Sequence, residues 1–256
     1  MKLLSRECIN LIKQFTISWF KLRDQRTILG FFWSFLNPLI MTAILYFLFK
    51  TRIGEEYTEN YFLYILIGTV SWNFFAICVQ ANTRVLLDRA LMVRNVVFPK
   101  EILIFSNVGV YIIQHFFEIL VVFVFIIFTG VGFSAHVVIL PLIVAIEAVL
   151  IASISLILSC ICVYARDIEH IWTVIARMGF FLVPIFYKIS SLSKQFRWIV
   201  MINPMSQVIN FYRDVLIYHK IPNLTIFATM LIFSFVFLAV SYKLFKSFEP
   251  KIVEKA

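Results

Sequence analysis

Long uncharged stretches alternate with short polar segments along this chain, and their lengths are those of membrane helices. From Phe31 to Phe49 there are 19 residues without a charge, about 28 Å as a helix at roughly 1.5 Å per residue, close to the hydrocarbon thickness of a bilayer. Asn60 to Thr83 is again uncharged. Between Glu101 and Arg166 the only charges are Glu118 and Glu147, a run too long for one helix and suited to two joined near 129–134. A fifth span is expected over Ile171 to Lys188, despite Arg177 inside it, and a sixth over Ile221 to Tyr242. The predicted fold class is therefore an all-α integral membrane protein with six transmembrane helices. No repeat or linker divides it, so residues 1–256 are expected to form a single transmembrane domain.

Three segments carry other patterns. Within 1–27, Leu4, Cys8, Leu11, Ile12, Phe15, Trp19 and Leu22 recur at three- and four-residue intervals, with Lys2, Arg6, Lys13 and Lys21 mostly on other faces. That predicts an amphipathic helix lying in the membrane interface, its cations toward anionic headgroups; docking on a cytosolic partner is compatible with the same pattern. Residues 84–101 alternate charges with Val85, Leu86, Leu87, Leu91, Met92 and Val93, enough for three helical turns before Pro99 with one apolar face that must dock on protein or membrane. Within 190–219, the apolar pieces Trp198 to Pro204 and Met205 to Tyr212 are each too short to cross. They predict an outer re-entrant or interfacial helical hairpin broken at Asn203 and Pro204, with a folded external loop as the alternative.

At 62% hydrophobic and 14% charged residues, the chain lies far from the roughly 45–50% and 25% of soluble domains, which excludes a soluble core protein. No apolar run begins near the N-terminus, so no cleaved leader is expected. The net charge of +9 fits a positive-inside bias better than a nucleic-acid partner. With the N-terminus inside, sixteen basic residues fall on the cytosolic side and seven outside, which places both termini in the cytosol. Five of the seven, Lys188, Lys194, Arg197, Arg213 and Lys220, crowd around the expected outer hairpin and run against the rule.

The search for chemistry returns little. No G-x-x-x-x-G-K-[ST] loop is present, so any ATP that drives this protein is hydrolysed by another polypeptide. Cys8, Cys78, Cys160 and Cys162 form no disulfide or metal pattern, the four histidines are scattered, and no cofactor is expected. Ionisable residues at membrane depth are functional candidates by default. Here they are Glu118, Glu147 and Arg177, read as a structural pairing of the acids with Arg177, or with Arg177 at inner headgroups or on a lipid phosphate. Among the many aromatics, Trp33, Tyr187, Trp198 and Tyr212 are candidate glycan or lipid contacts; an interfacial aromatic belt is the alternative.

Six segments in order carry a resemblance. They are LGFFWSFLNPL from Leu29, VRNVVFPKEIL over Val93–Leu103, YARD over Tyr164–Asp167, PIFY over Pro184–Tyr187, INPMSQVINFYRDVL over Ile202–Leu216, and FKSFEPKI over Phe245–Ile252. Together they resemble the membrane subunits of ABC-2 type polysaccharide exporters, most of all the O-antigen permeases. The resemblance implies a homodimer with two ATP-binding cassette subunits in the inner membrane, and a substrate of lipid-linked polysaccharide carried on polyprenyl diphosphate. It further implies that 84–101 is a gate and coupling helix touching the ATPase through Arg84, Asp88, Arg89 and Arg94, with a second contact at Arg166, Asp167 and Glu169. An exporter of teichoic acid, capsule, drugs or small lipids remains open. So does a membrane-embedded transferase acting on lipid-linked sugars, although the clustered acids or histidines it would need are missing.

Overall fold

The computed structural model describes residues 6–23, 32–53 and 60–255, and among them the regular structure is entirely helical. Five helices are long and apolar enough to cross a membrane. They are α2 (Trp33–Ile53), α3 (Tyr61–Thr83), α6 (Glu101–Thr129), α7 (Leu140–Tyr164) and α11 (Leu224–Lys255). The short helices α1 (Arg6–Arg23), α4 (Val85–Asp88), α5 (Ala90–Asn95), α8 (Ile168–Leu182), α9 (Lys194–Ile202) and α10 (Pro204–Leu216) fill the gaps between them. Helix α3 carries no charge and most of it is buried, the behaviour of a helix at the centre of a bundle. Around it pack α2, α6, α7, α8 and α10. The α6–α7 turn reverses at Gly130 and Gly132, whose φ angles of 71° and 79° lie in the left-handed region where a side chain is strained.

The expected fifth span is shorter than the apolar run. Helix α8 ends at Leu182 after 15 residues, about 22 Å. Pro184 disfavours helix at the residue before it, and Val183 accordingly adopts an extended conformation. The Val183 amide still donates to the Gly179 carbonyl, and chain 184–187 then continues along α3 without helical hydrogen bonding. Contacts run in antiparallel order: the Trp172 indole donates to the Ala76 carbonyl at 3.2 Å, and Gly179 lies against the Trp72 ring. Beyond them the Tyr64 and Tyr61 hydroxyls donate to the carbonyls of Tyr187 and Phe186 at 3.0 and 2.7 Å. Helix α8 with its extended tail thus accompanies α3 over its whole length.

Helix α1 packs lengthwise on α6 instead of resting only on headgroups. The Thr16 hydroxyl donates to the Ser106 carbonyl, and a Cβ at Gly109 would stand 2.7 Å from Thr16 Oγ1. Leu4, Lys2 and residues 24–27 of the expected interfacial helix lie outside the described residues. Segment 84–101 is not one helix: the chain breaks at Arg89 (φ −112°, ψ 24°) between α4 and α5. Val85, Leu86 and Val93 point inward, while Leu91 and Val97 stand exposed at 78% and 102%. On the opposite side α9 and α10 meet at Asn203, whose side chain caps α10 by accepting from the Met205 amide. Helix α10 is mostly buried against α3, α7 and α11, whereas α9 exposes Phe196, Trp198 and Ile202.

Candidate functional site

Three polar assemblies interrupt this apolar bundle. The first lies where α3 passes into α4. Arg84 reaches from the end of α3 to Glu169 on α8, Nη1 to Oε2 3.2 Å, and to Asp88, Nε to Oδ1 3.5 Å. A cleft of about 490 Å³ lies here, lined by Arg84, Asp88, Arg166, Asp167 and Glu169. Five of the seven residues expected at an ATPase contact therefore meet in one place. Arg89 instead stacks over the Trp19 ring at 4.6 Å, which links α1 to the same region, and Arg94 is exposed on α5.

Behind the cleft, the buried Glu101 carboxylate accepts from the Tyr242 hydroxyl at 3.1 Å and from Lys246 Nζ at 2.9 Å. Glu249 accepts from Lys246 and from the Lys100 backbone amide. The C-terminal part of α11 thus grips the point where the 84–100 connection enters α6. Burial pulls the Lys100 ammonium below the usual lysine range, against the pull of Glu249.

The second assembly is a chain of hydrogen bonds inside the membrane part. Ser71 on α3 donates to Glu147 Oε1 at 3.0 Å, and Tyr212 on α10 donates to Oε2 at 2.8 Å. The Tyr212 oxygen lies 3.1 Å from His115 Nε2 on α6. His115 Nδ1 is 3.4 Å from Glu118 Oε2, and Gln114 donates to Glu118 Oε1 at 2.7 Å. Both acids are satisfied without Arg177, so the expected pairing is corrected: Arg177 is exposed on α8 and makes no ion pair with Glu118 or Glu147. Tyr212 is likewise corrected as a glycan contact, since at 2% exposure its ring and hydroxyl are committed to the core.

One residue on, Arg213 corrects the charge count. It is buried at 1%, and its guanidinium donates to the carbonyls of Pro184, Ile185 and Tyr64 at 2.7, 2.8 and 3.1 Å while resting 3.4 Å from the centre of the Tyr64 ring. The planar fork of Arg satisfies the carbonyls that the extended 183–187 segment leaves unpaired. Nothing in the order of residues distinguishes this arginine from its solvent-facing neighbours. The one hint is its position within an otherwise apolar, helix-spaced face of α10.

The third assembly is a groove open on the side of the chain, of about 740 Å³, between α2, α3 and α8. Asn37, Asn73, Gln80, Thr173 and Arg177 supply its polar lining, with Trp72 and Phe181 among the apolar walls. Asn73 lies 12 residues beyond Tyr61 along α3, roughly 18 Å into the bundle. Gln80 and Thr173 hydrogen-bond to each other at 3.0 Å, but Asn37 and Asn73 have no hydrogen bond among the described residues. Amides bare to lipid would be costly. The seven-residue spacing of Asn73 and Gln80, which puts both on one face of α3, was the available signal for this groove. A smaller polar pocket of about 200 Å³ adjoins it and shares Asn37, Asn73 and Ile77; Trp33, Gln114 and Glu118 line its far side. Tyr187 sits at the opposite end of α3, its hydroxyl donating to Leu182, and Trp198 is 70% exposed on α9.

A family model described as ABC-2 type transporter matches residues 11–217. The chain is similar to two proteins of Klebsiella pneumoniae that bear the name O-antigen export system permease protein RfbA. One is 28% identical over 195 residues, covering 76% of this chain and 75% of the relative; the other is 25% identical over 235 residues, covering 91% and 90%. A protein of the same name from Myxococcus xanthus is 25% identical over 236 residues, again covering 91% and 90%.

Proposed function

Because the chain belongs to the ABC-2 type transporter family, matched over residues 11–217, we propose that it is the membrane subunit of an ATP-driven exporter of an O-antigen polysaccharide linked to polyprenyl diphosphate. Two copies enclose the pathway in the inner membrane, both termini face the cytosol, and two ATP-binding cassette subunits dock below. Helix α8 with its extended tail makes the sixth crossing, and α9 with α10 forms a hairpin that enters and leaves from outside. The cytosolic cleft around Arg84 and Glu169, flanked by exposed Leu91 and Val97, receives the ATPase. The groove is one wall of the pathway.

The carrying observation is that Asn37, Asn73 and Arg177 line the open groove with no hydrogen bond or ion pair among the described residues. Lipid would leave those groups unsatisfied; an aqueous path shared with a second copy hydrates them. The test is the double change Asn37→Leu with Asn73→Leu, which makes the wall compatible with lipid tails. Surface glycan should fall while its lipid-linked form accumulates on the cytosolic side, and the amount of folded protein should hold or rise. Undiminished surface glycan in that variant would remove the groove from the pathway.

A further inference from the structure

The small pocket beside the groove has a chemistry of its own. At about 200 Å³ it suits one sugar ring, not a chain. Trp33, half exposed at the start of α2, offers an aromatic face at its rim. Asn37 and Asn73 present amides, Arg23 and Glu118 also line it, and Gln114, only 7% exposed, adds a buried side-chain oxygen that accepts no hydrogen bond. Its nitrogen is already committed to Glu118. A buried acceptor left open costs about 1–3 kcal/mol unless a donor arrives. An aromatic face beside amide donors and acceptors matches the apolar face and hydroxyl rim of a pyranose. An alkyl chain would leave the amides unpaired, and a bare phosphate could meet Arg23 but would leave the Trp33 face uncovered and bring the Gln114 oxygen only another acceptor.

We propose that the pocket bounded by Trp33, Asn37, Asn73 and Gln114 is a subsite for a single sugar residue of the exported glycan, set to one side of the groove that carries the rest. It rests on the reading of the groove as a glycan pathway. The Gln114 oxygen accepts from a sugar hydroxyl, Asn37 and Asn73 bond to its neighbours, and Trp33 covers the apolar face. The subsite holds one sugar in register as the chain enters.

The four native cysteines are buried, so single cysteines can be read against a low background in the assembled transporter. Asn73→Cys reports on the pocket and Phe181→Cys on the groove outside it. Labelling by a small methanethiosulfonate reagent is compared in cells that make the glycan and in cells whose polymerising glycosyltransferases are deleted, with ATP hydrolysis blocked in the partner. Glycan should slow labelling at both positions, by about tenfold if it is present near ten times its dissociation constant. Adding Trp33→Ala, at an exposed position that folding does not depend on, should restore labelling at 73 and leave 181 protected; Trp33→Phe should keep both protected. Protection at 181 but not at 73 overturns the subsite and leaves the groove. Protection at neither overturns the pathway reading together with the subsite. Equal protection of 73 without glycan means that polypeptide or lipid fills the pocket, and the proposal fails.

Discussion

Gly68 and Arg213 show how closely single residues are held in this protein. A Cβ on Gly68 would stand 2.9 Å from the Arg213 guanidinium and 3.2 Å from the Ile185 Cα. The second neighbour is backbone and cannot swing aside. Gly68→Ala should therefore cost about 1–3 kcal/mol, seen as a lower thermal midpoint of the purified chain in detergent. An unchanged midpoint would mean that the 183–187 segment yields. Arg213→Lys keeps the charge but loses the fork that reaches three carbonyls, so it should destabilise by at least about 2 kcal/mol; a lysine that restores full stability would show that charge alone suffices. Charge counting along the sequence placed Arg213 in water. What it could not register is that a guanidinium can replace water at unpaired carbonyls, because those carbonyls belong to residues 28 and more positions away.

Among the elements, the uninterrupted apolar runs were legible and the broken ones were not. Helices α2, α3, α6, α7 and α11 coincide closely with the uncharged stretches, since length and apolarity suffice to define a span. Helix α8 and the α4–α5 pair depart from expectation through local backbone causes, Pro184 in one and the turn at Arg89 in the other. The C-terminal part of α11 adds an ionic grip that no spacing announced. Lys246→Met would leave the Glu101 carboxylate, 1% exposed, with only the Tyr242 hydroxyl, for a loss of about 1–3 kcal/mol. Adding Glu101→Gln should recover part of it, because the second change removes the unpaired charge. A double-mutant cycle on thermal midpoints reads the coupling; simple additivity would mean that α11 and α6 are not joined through this pair.

For the whole molecule, the proposed energy source and pathway both call for partners outside one chain. The purified chain should hydrolyse no ATP. A cysteine at Val97, which is fully exposed, should cross-link to an ATP-binding cassette subunit in native membranes; labelling of position 97 only from outside the cell would reverse the orientation. Phe181→Cys, on the open groove, should form a disulfide between two copies under mild oxidation, and its failure to do so at any tested position along α8 would place the second copy elsewhere. The membrane class could be read from hydropathy. The groove could not, because its walls come from helices separated by about 140 positions and only packing shows that Asn37 and Arg177 share one space.

The extended tail of α8 bears on how the chain is made. On the six-crossing reading, a 15-residue helix carrying Arg177 must leave the translocon without the length of a full span, while the arginine that secures its tail is synthesised some thirty residues later. Insertion of this crossing is then completed only after α10 emerges, and a nascent chain arrested before Arg213 holds α8 in an unsettled topology that the finished protein never shows.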